Sequence, residues 1–271
     1  MPTQHMNEDR GYALITGASQ GLGEAIALEL ARHGFGVLLV ARSEAALQRV
    51  AAKVGALNGG RAHILTADLF SSDAVDRIVD WTRSLGLPLT CLVNNAGQGL
   101  WGLFDALPLV DQRRMMRLNM DIPVDLTHRL LPELKKAEHA YVLNISSMTA
   151  YSAMATFAVY CATKSFLLRW SRSLRIELER TSVSVTAICP GSIITGFTER
   201  AGMMAMDDLA RKFGSGPEPV ARAAVRAMLK GRAQMVPGLL NSITARVQGW
   251  LPDALNERLA SNIYLKRLPL K

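Results

Sequence analysis

Short apolar runs alternate with helical stretches along most of this chain, and this alternation limits the fold more than any other feature. The runs begin near residues 12, 36, 62, 90, 140 and 183, with a candidate seventh at 234–236. Buried strands separated by helices are typical of a parallel sheet, because each helical crossover covers one of its faces. With right-handed crossovers, the pattern predicts a doubly wound α/β fold of about seven parallel strands with helices on both faces. Such a sheet binds ligands at the carboxyl ends of its strands.

A glycine-rich turn follows the first of these runs. The sequence TGASQGLG, residues 16–23, connects the apolar run 12–15 to a helical pattern that continues to Arg32. Glycines in such a turn let a pyrophosphate approach the backbone, and the helix start presents free N–H groups to the anion. The turn alone fits an ordinary loop equally well, and its spacing differs from the common GxGxxG. A second strand at 36–40, however, follows at the distance that a dinucleotide-binding βαβ unit requires.

The residues after the second strand select between the two nicotinamide cofactors. An acidic residue there would bind the ribose 2'-hydroxyl and repel a 2'-phosphate. This chain has Ala41, Arg42 and Ser43 instead. The planar, permanently charged guanidinium of Arg42 suits a phosphate, so the sequence predicts that NADP(H) is favoured over NAD(H). The alternative is a surface arginine that precedes a helix capped by Ser43.

Tyr160 and Lys164 are four residues apart, so a helix would place both side chains on one face. A nearby cation favours the phenolate and moves the tyrosine pKa down from its ordinary value near ~10, toward the range where general acid–base catalysis is efficient. By itself the spacing fits better with a buried tyrosine and a solvated lysine on an amphipathic helix. The other motifs of the chain favour the catalytic interpretation.

Five motifs occur in the order and at the separations of one enzyme family: the glycine turn, Asn94–Gly97, Asn119, Ser147, and Tyr160 with Lys164. With these motifs, the chain resembles a short-chain dehydrogenase/reductase of the single-domain type over residues 12 to about 196. The segments 40–43 and 236–241 look most like the bacterial DltE-like oxidoreductases. The resemblance implies a Rossmann fold and hydride transfer between NADP(H) and a carbonyl or secondary alcohol.

The resemblance also implies a catalytic group of four residues: Asn119, Ser147, Tyr160 and Lys164. Tyr160 would exchange a proton with the substrate oxygen, while Lys164 would lower the tyrosine pKa and bind the nicotinamide ribose. Ser147, which the family spacing selects over Ser146, would hold the substrate oxygen. Asn119 would lie inside a helix expected from about residue 105 to 136, where a local distortion would hold a water that relays protons to Lys164.

A cofactor site follows from the same resemblance, with Tyr160 and Lys164 as members. Its phosphate end would comprise Gly17, Ser19, Gln20, Gly21, Leu22, Gly23 and Arg42. Its adenosine part would comprise Asp68, Leu69, Asn95, Ala96 and Gly97, and its nicotinamide end Pro190, Gly191 and Thr195. Gln20 stands where many relatives carry a basic residue, so Arg42 alone would carry the preference for a 2'-phosphate.

The size and composition fit one catalytic domain with two flanking segments. A chain of 271 residues with 49% hydrophobic residues supplies a core for both faces of a sheet. We expect a flexible tail at 1–10, the Rossmann-fold catalytic domain at 11–238 with a substrate loop at about 192–215, and a basic amphipathic extension at 239–271. Residues 239–251 are predicted to form an amphipathic helix. We expect this helix to pack on the domain or on another subunit rather than on an anionic membrane.

The net charge of +8 is concentrated in residues 201–271, which hold eleven Lys and Arg against five Asp and Glu. No reading motif for nucleic acid accompanies this charge, so no nucleic-acid partner is expected. No stretch approaches the ~20 consecutive apolar residues of a membrane span, and residues 1–10 lack the apolar core of a signal peptide. We therefore expect a cytoplasmic protein. The three cysteines and five histidines lack the spacing of metal ligands, and no metal is expected.

Apolar side chains dominate the loops after the fourth, fifth and sixth strands, and they predict a pocket for a lipophilic carbonyl or alcohol. The candidates are Trp101, Phe104, Tyr151, Met154, Phe197, Met203, Met204 and Met206. Ordinary packing of a flexible flap is an equal alternative.

Relatives often assemble through the two helices that carry Asn119 and Tyr160, which implies a homodimer or homotetramer. The outward faces are expected to include Leu167, Leu168, Trp170 and Leu174, with burial of Trp170 in the monomer as the alternative. An NADP(H)-binding sensor or scaffold without turnover is the alternative function, and a lyase or epimerase is a third. The presence of both Tyr160 and Lys164 favours the enzyme.

Overall fold

The computed structural model describes residues 9–197, 201–203, 208, 212, 214–238, 241–244 and 253–268. Within these residues, seven parallel strands form one sheet in the order β3-β2-β1-β4-β5-β6-β7. The strands are β1 (Tyr12–Thr16), β2 (Gly36–Ala41), β3 (Ala62–Thr66), β4 (Leu89–Asn94), β5 (Ala140–Ile145), β6 (Val183–Ile188) and β7 (Gln234–Met235). The prediction of a doubly wound parallel sheet is therefore confirmed. The chain leaves β1 toward β2 on one side and reaches β4 on the other, which creates a crevice between β1 and β4.

Helices cover both faces of the sheet. In the described part of the chain they are α1 (Gly21–Arg32), α2 (Glu44–Asn58), α3 (Ala74–Ser84), α4 (Leu109–Met116), α5 (Ile122–Leu134), α6 (Ala158–Glu177), α7 (Pro217–Leu229) and α8 (Asp253–Leu265). One apolar core lies between the sheet and α1, α2 and α7, and the other between the sheet, α3 and α5. Strands β1, β2 and β4 are buried at every residue, which explains their continuous apolar sequences.

The predicted continuous helix from 105 to 136 is divided in the structure. Its first helical residue is Leu109 rather than 105, because Pro108 disfavours a helical conformation at Leu107. A π-helical turn at Arg117–Asp121 joins α4 to α5, and it contains Asn119. The extra residue of a π-helical turn changes the direction of the side chains that follow it, so α4 and α5 bury different faces.

The prediction that Leu167 and Leu168 face outward from α6 is wrong. Both are nearly fully buried, at 2% and 4% exposure. They lie one helical turn after Lys164, on the face that turns toward the sheet, so the helical period buries all three together. The exposed apolar side chains of α6 are instead Phe166 and Ile176.

The two ends of the described chain are fixed to the domain. Arg61 forms an ion pair with Asp9, and the Arg10 N–H donates to the Gly34 carbonyl, so the end of the predicted flexible tail is attached to the first βαβ unit. Residues 1–8 lie outside the described residues, as does most of the predicted amphipathic helix at 239–251. Near the C-terminus, the Ser261 hydroxyl accepts from the Ala155 N–H at 2.9 Å. Among the described helices, none is long and apolar enough to cross a membrane.

Candidate active site

The glycine turn between β1 and α1 leaves room for a phosphate group. Gly17 and Gly21 have φ angles of +66° and +60°, a conformation that strongly favours glycine. A Cβ atom at Gly23 would lie only 2.2 Å from the Gly17 carbonyl oxygen, so no side chain fits there. The start of α1 presents its free N–H groups beside this turn. The turn and helix therefore fit the pyrophosphate of a dinucleotide.

Thr16 fixes the loop after β4 against this turn. Its hydroxyl accepts from the N–H groups of Asn95 and Ala96, both at 3.1 Å. The Asn95 amide in turn donates to the carbonyl oxygens of Thr16 and Gly17 at 2.9 and 3.2 Å. The predicted cofactor residues Asn95 and Ala96 thus lie directly beside the glycine turn. Thr16 was not among the predicted site residues. The only sequence feature that pointed to it was its polar side chain at the end of an apolar strand.

The adenosine side of the crevice is formed by the ends of β2 and β3. Arg42 is exposed after β2, and the Ser43 hydroxyl caps α2 by accepting from the Ala46 N–H at 3.4 Å. After β3, the Asp68 carboxylate accepts from the Phe70 N–H at 3.1 Å, while Leu69 is buried. Both the N-cap and the exposed guanidinium that the sequence suggested are therefore present.

The loop after β6 approaches the glycine turn from the other side. The Met148 N–H donates to the Pro190 carbonyl at 2.9 Å, which joins this loop to the end of β5. A Cβ atom at Gly191 would lie 2.8 Å from the Asn241 amide. The methyl group of Thr195 faces Gly21, where a Cβ atom would lie 3.1 Å away. Predicted residues from both ends of the cofactor site therefore border the same crevice.

Lys164 and Asn119 meet at Gly97. A Cβ atom at Gly97 would lie 3.3 Å from both the Lys164 Nζ and the Asn119 Oδ1. Lys164 is buried, and its ammonium donates to the Ile145 carbonyl at 3.1 Å. The Asn119 amide pairs with both backbone groups of Gln98, at 3.0 and 2.9 Å. The π-helical turn thus aims Asn119 at the loop after β4 and not at solvent.

Tyr160 is buried one turn before Lys164, and Ser147 interacts with its phenol. Burial raises the pKa of the Tyr160 phenol, and the interaction with Ser147 lowers it only in part. Burial also lowers the pKa of Lys164 to about 8. The Lys164 Nζ lies 5.8 Å from the centre of the Tyr160 ring. Burial therefore outweighs the other groups that act on this phenol, whereas the sequence predicted that the Lys164 cation would lower its pKa.

A buried polar network lies beneath these residues and was not predicted. The Asn94 amide donates to the Asn144 side chain, and the Asn144 amide donates to the Ser171 hydroxyl, both at 2.8 Å. The Ser146 hydroxyl donates to the Lys164 carbonyl at 2.8 Å. These bonds join β4 and β5 to α6 and hold this helix against the sheet. The sequence feature that could have predicted this network is an asparagine in each of two otherwise apolar strands.

An apolar wall borders the Tyr160 phenol. Its buried members are Trp101, Met115, Phe157, Tyr160, Cys161, Ala201 and Met203, with Met154, Phe197 and Tyr264 partly buried against them. Two predicted pocket residues lie elsewhere: Phe104 is 63% exposed, and Tyr151 packs in a separate cluster with Leu168. Phe104 is exposed because the loop after β4 turns outward after Trp101. Tyr151 lies in the turn after β5 and packs beside the end of β6. Met204 and Met206 lie outside the described residues.

Aromatic rings connect the C-terminal helix to this wall. The Tyr264 ring of α8 meets the Phe157 ring edge to face at 5.3 Å, and Phe157 lies 5.8 Å from Tyr160. The Phe197 ring lies 5.9 Å from Tyr160 on the substrate-loop side. Among the described residues, no group of three or more His, Cys, Asp and Glu could hold a metal ion.

Comparison with known proteins gives consistent matches. The family model described as short chain dehydrogenase matches residues 11–204. Ketoacyl reductase HetN of Nostoc sp. is 31% identical over 224 residues, 82% of this chain and 77% of that protein. Mouse 17-beta-hydroxysteroid dehydrogenase type 3 is 30% identical over 202 residues, 73% of this chain and 65% of that protein. A solved short-chain dehydrogenase from Sphingobium yanoikuyae in complex with NADPH has a TM-score of 0.77 at 26% identity, covering 88% of this chain and 94% of that chain.

Proposed function

The chain belongs to the short-chain dehydrogenase family, and on that premise we propose that it is an NADPH-dependent reductase of lipophilic ketones. Its relatives are named as dehydrogenases and reductases, so the protein is an oxidoreductase that acts on CH–OH or C=O groups. The observation that carries the proposal is the buried Tyr160 phenol, which interacts with Ser147 and lies one helical turn from Lys164. Within the family, the DltE-like placement stays a prediction.

Tyr160 supplies the proton that a carbonyl oxygen needs as it is reduced, and the bound cofactor supplies the hydride. Because burial raises its pKa, the phenol holds its proton at neutral pH. Ser147 holds the substrate oxygen within reach of that proton. Reduction uses the protonated phenol as the acid, whereas oxidation uses the phenolate as the base. Lys164, whose pKa is about 8, would return a proton to the phenolate after each turnover and regain one from solvent.

The apolar wall beside Tyr160 supports a lipophilic substrate. Relatives are named for ketoacyl and hydroxysteroid substrates, which are both largely apolar molecules with one reacting oxygen. The direct test is consumption of NADPH by purified protein with a panel of ketoacyl thioesters, ketosteroids and small ketones, followed at the nicotinamide absorbance. The proposed reductase consumes NADPH with a large apolar ketone. A sensor or scaffold would bind NADPH and leave it unconsumed with every member of the panel.

Arg42 is expected to set the preference between the cofactors. Arg42→Asp removes a charged partner of the 2'-phosphate and introduces an acceptor for the ribose 2'-hydroxyl. The ratio of kcat/KM for NADPH to that for NADH should fall about 100-fold, because a hydrogen bond between charged groups is lost and a repulsion is added. Steady-state kinetics with both cofactors measures this ratio, and Arg222→Asp, at an exposed residue of α7, is the control. An unchanged preference for NADPH would refute the assignment.

Tyr264 is expected to determine how large ketones bind. Tyr264→Ala removes the ring that packs on Phe157 and so shortens the apolar wall. The KM for a ketosteroid should rise about tenfold, which corresponds to part of the burial energy of one aromatic ring, while the KM for a small ketone should stay within twofold. Tyr264→Phe keeps the ring and should behave as the wild type. Equal changes in KM for both ketones would show that the ring only supports the fold.

We further propose a cytoplasmic homodimer or homotetramer. The support for assembly is the exposed apolar surface of α6, where the Phe166 and Trp170 rings stack at 6.4 Å and Ile176 is 66% exposed. The support for the reducing compartment is that Cys91, Cys161 and Cys189 are free thiols. Light scattering of the purified protein measures the mass of the assembly, and a monomer would refute this proposal.

A further inference from the structure

One face of α2 turns toward the glycine turn and carries two cations. Lys53 donates to the Glu24 carboxylate of α1 at 2.7 Å. The Arg49 guanidinium lies one turn closer to the start of the helix, with its Nη2 3.5 Å from the carbonyl oxygen of Ser19 in the glycine turn. Ala46, Arg49 and Lys53 are spaced at three and four residues, so they share this face. The face therefore borders the phosphate end of the crevice.

The direction of the Arg49 side chain brings its charge toward the start of α2. Helical side chains lean toward the N-terminus of their helix and cover the preceding turn. Arg42 lies outside this helix, between the end of β2 and the N-cap Ser43. The contact with Ser19 confirms that the guanidinium reaches the glycine turn. Arg49 thus reaches the glycine turn from α2, while Arg42 follows the end of β2.

The charge of Arg49 is available for an anion. In the described part of the chain, the only bond of its guanidinium is the one to the Ser19 carbonyl, which leaves most of its five donors unused. The neighbouring Lys53 is neutralised by Glu24, and the Glu44 carboxylate accepts from Gln48 at 3.2 Å. Arg49 is therefore an exposed guanidinium beside a predicted phosphate site, with no carboxylate paired to it among the described residues.

We propose that Arg49 is a second ligand of the cofactor 2'-phosphate, acting together with Arg42. This inference rests on the proposed preference for NADPH. A 2'-phosphate lies beyond the end of β2 when the pyrophosphate occupies the glycine turn, and its two negative charges suit two planar guanidinium groups. Gln20 carries no charge, so the glycine turn itself offers no cation to the phosphate. Arg49 supplies that charge from α2, and Arg42 does not act alone.

Binding of adenosine fragments tests this proposal without catalysis. The probes are 2',5'-ADP, which carries the 2'-phosphate, and ADP, which lacks it, both measured by calorimetry with the full-length protein. Arg49→Gln should weaken 2',5'-ADP about tenfold through the lost charge-assisted bonds and leave ADP within twofold. Lys53→Gln removes a charge from the same face one turn farther away and should change both affinities less than twofold. Thermal unfolding of each variant confirms that it folds.

The outcomes separate this inference from the proposed function. If the wild type prefers 2',5'-ADP and Arg42→Gln removes the preference while Arg49→Gln keeps it, Arg49 is not a ligand and only this inference fails. If Arg49→Gln weakens both probes equally, the residue only supports the Ser19 turn, and the inference fails again. If the wild type binds both probes equally, the preference for NADPH fails together with this inference. A selective loss in Arg49→Gln, larger still in the double variant, supports both.

Discussion

Replacing Tyr160 with phenylalanine is expected to lower kcat for ketone reduction about 1000-fold, because general acid catalysis typically contributes 10²- to 10⁴-fold. The substitution removes only the phenol hydroxyl. The ring remains and keeps its contacts with Phe157 and Phe197, so the apolar wall stays intact. The affinity for NADPH should therefore change only a few-fold. Single-turnover kinetics and a separate binding measurement distinguish these two effects.

Two controls make this result specific. Tyr141→Phe removes a phenol from β5 that lies in a different cluster, and it should leave kcat unchanged. Ser147→Ala should lower kcat alone but add little to Tyr160→Phe, because residues that act on one proton transfer are not additive. Substantial turnover in Tyr160→Phe across the pH range would show that another group supplies the proton, and the proposed chemistry would be wrong.

The sheet could be predicted from the sequence because its physical causes are local. Each strand of a parallel sheet covered on both faces must be apolar along its length, and the helices between strands must be long enough to cross back. Both features are visible in the amino-acid sequence. Even β7, only two residues long, falls within the segment 234–236 that was predicted as a seventh strand. The positions of the glycine turn and of Asn95, Asp68 and Thr195 follow once the carboxyl ends of the strands share one edge.

The electrostatics of the site could not be predicted in this way. The spacing of Tyr160 and Lys164 gives their relative position on a helix but not the solvent that remains around them. Desolvation of the phenol depends on Phe157 and Phe197, which come from loops after different strands. Their packing raises the pKa of Tyr160, whereas the sequence pattern alone predicted the opposite sign. The sign of the pKa shift of Tyr160 depends on burial in the folded protein, which a local sequence pattern does not reveal.

The contribution of α8 was hidden for a similar reason. A basic, amphipathic segment fits several partners, since its pattern shows only that one face is apolar. The structure shows that α8 packs on the segment before α6. Ser261 bonds to Ala155, and the Tyr264 ring contacts Phe157. The apolar residues of α6 were misplaced because the helix has apolar side chains on two faces. Only contact with the sheet separates Leu168 from Phe166.

Lys164 is expected to reduce the stability of the protein while it supports catalysis. Burial lowers its pKa from the ordinary value of 10.5 to about 8, so the folded state resists the charge that the unfolded chain carries freely. Between pH 8 and 10.5, the unfolded state therefore binds more protons than the folded state. As the pH rises through that window, the free energy of unfolding of the wild type increases, because Lys164 loses its proton in the folded state. Below pH 8 the full cost of burying the cation remains.

Lys164→Met should therefore raise the free energy of unfolding at pH 7 by roughly 2 kcal/mol, because it removes a desolvated charge at similar volume and loses only the bond to Ile145. The gain should shrink toward zero near pH 10, where the wild-type lysine is neutral in the folded protein. Urea unfolding of both proteins at several pH values measures this difference, and Lys136→Met, at an exposed lysine, should show no such pH dependence.

In Lys164→Met, kcat should also fall at least 100-fold, because the proton is no longer returned to Tyr160. A variant that is less stable at pH 7, or a difference that does not vary with pH, would show that Lys164 is a structural residue. A more stable and inactive variant would mean that the buried cation is kept for its chemistry.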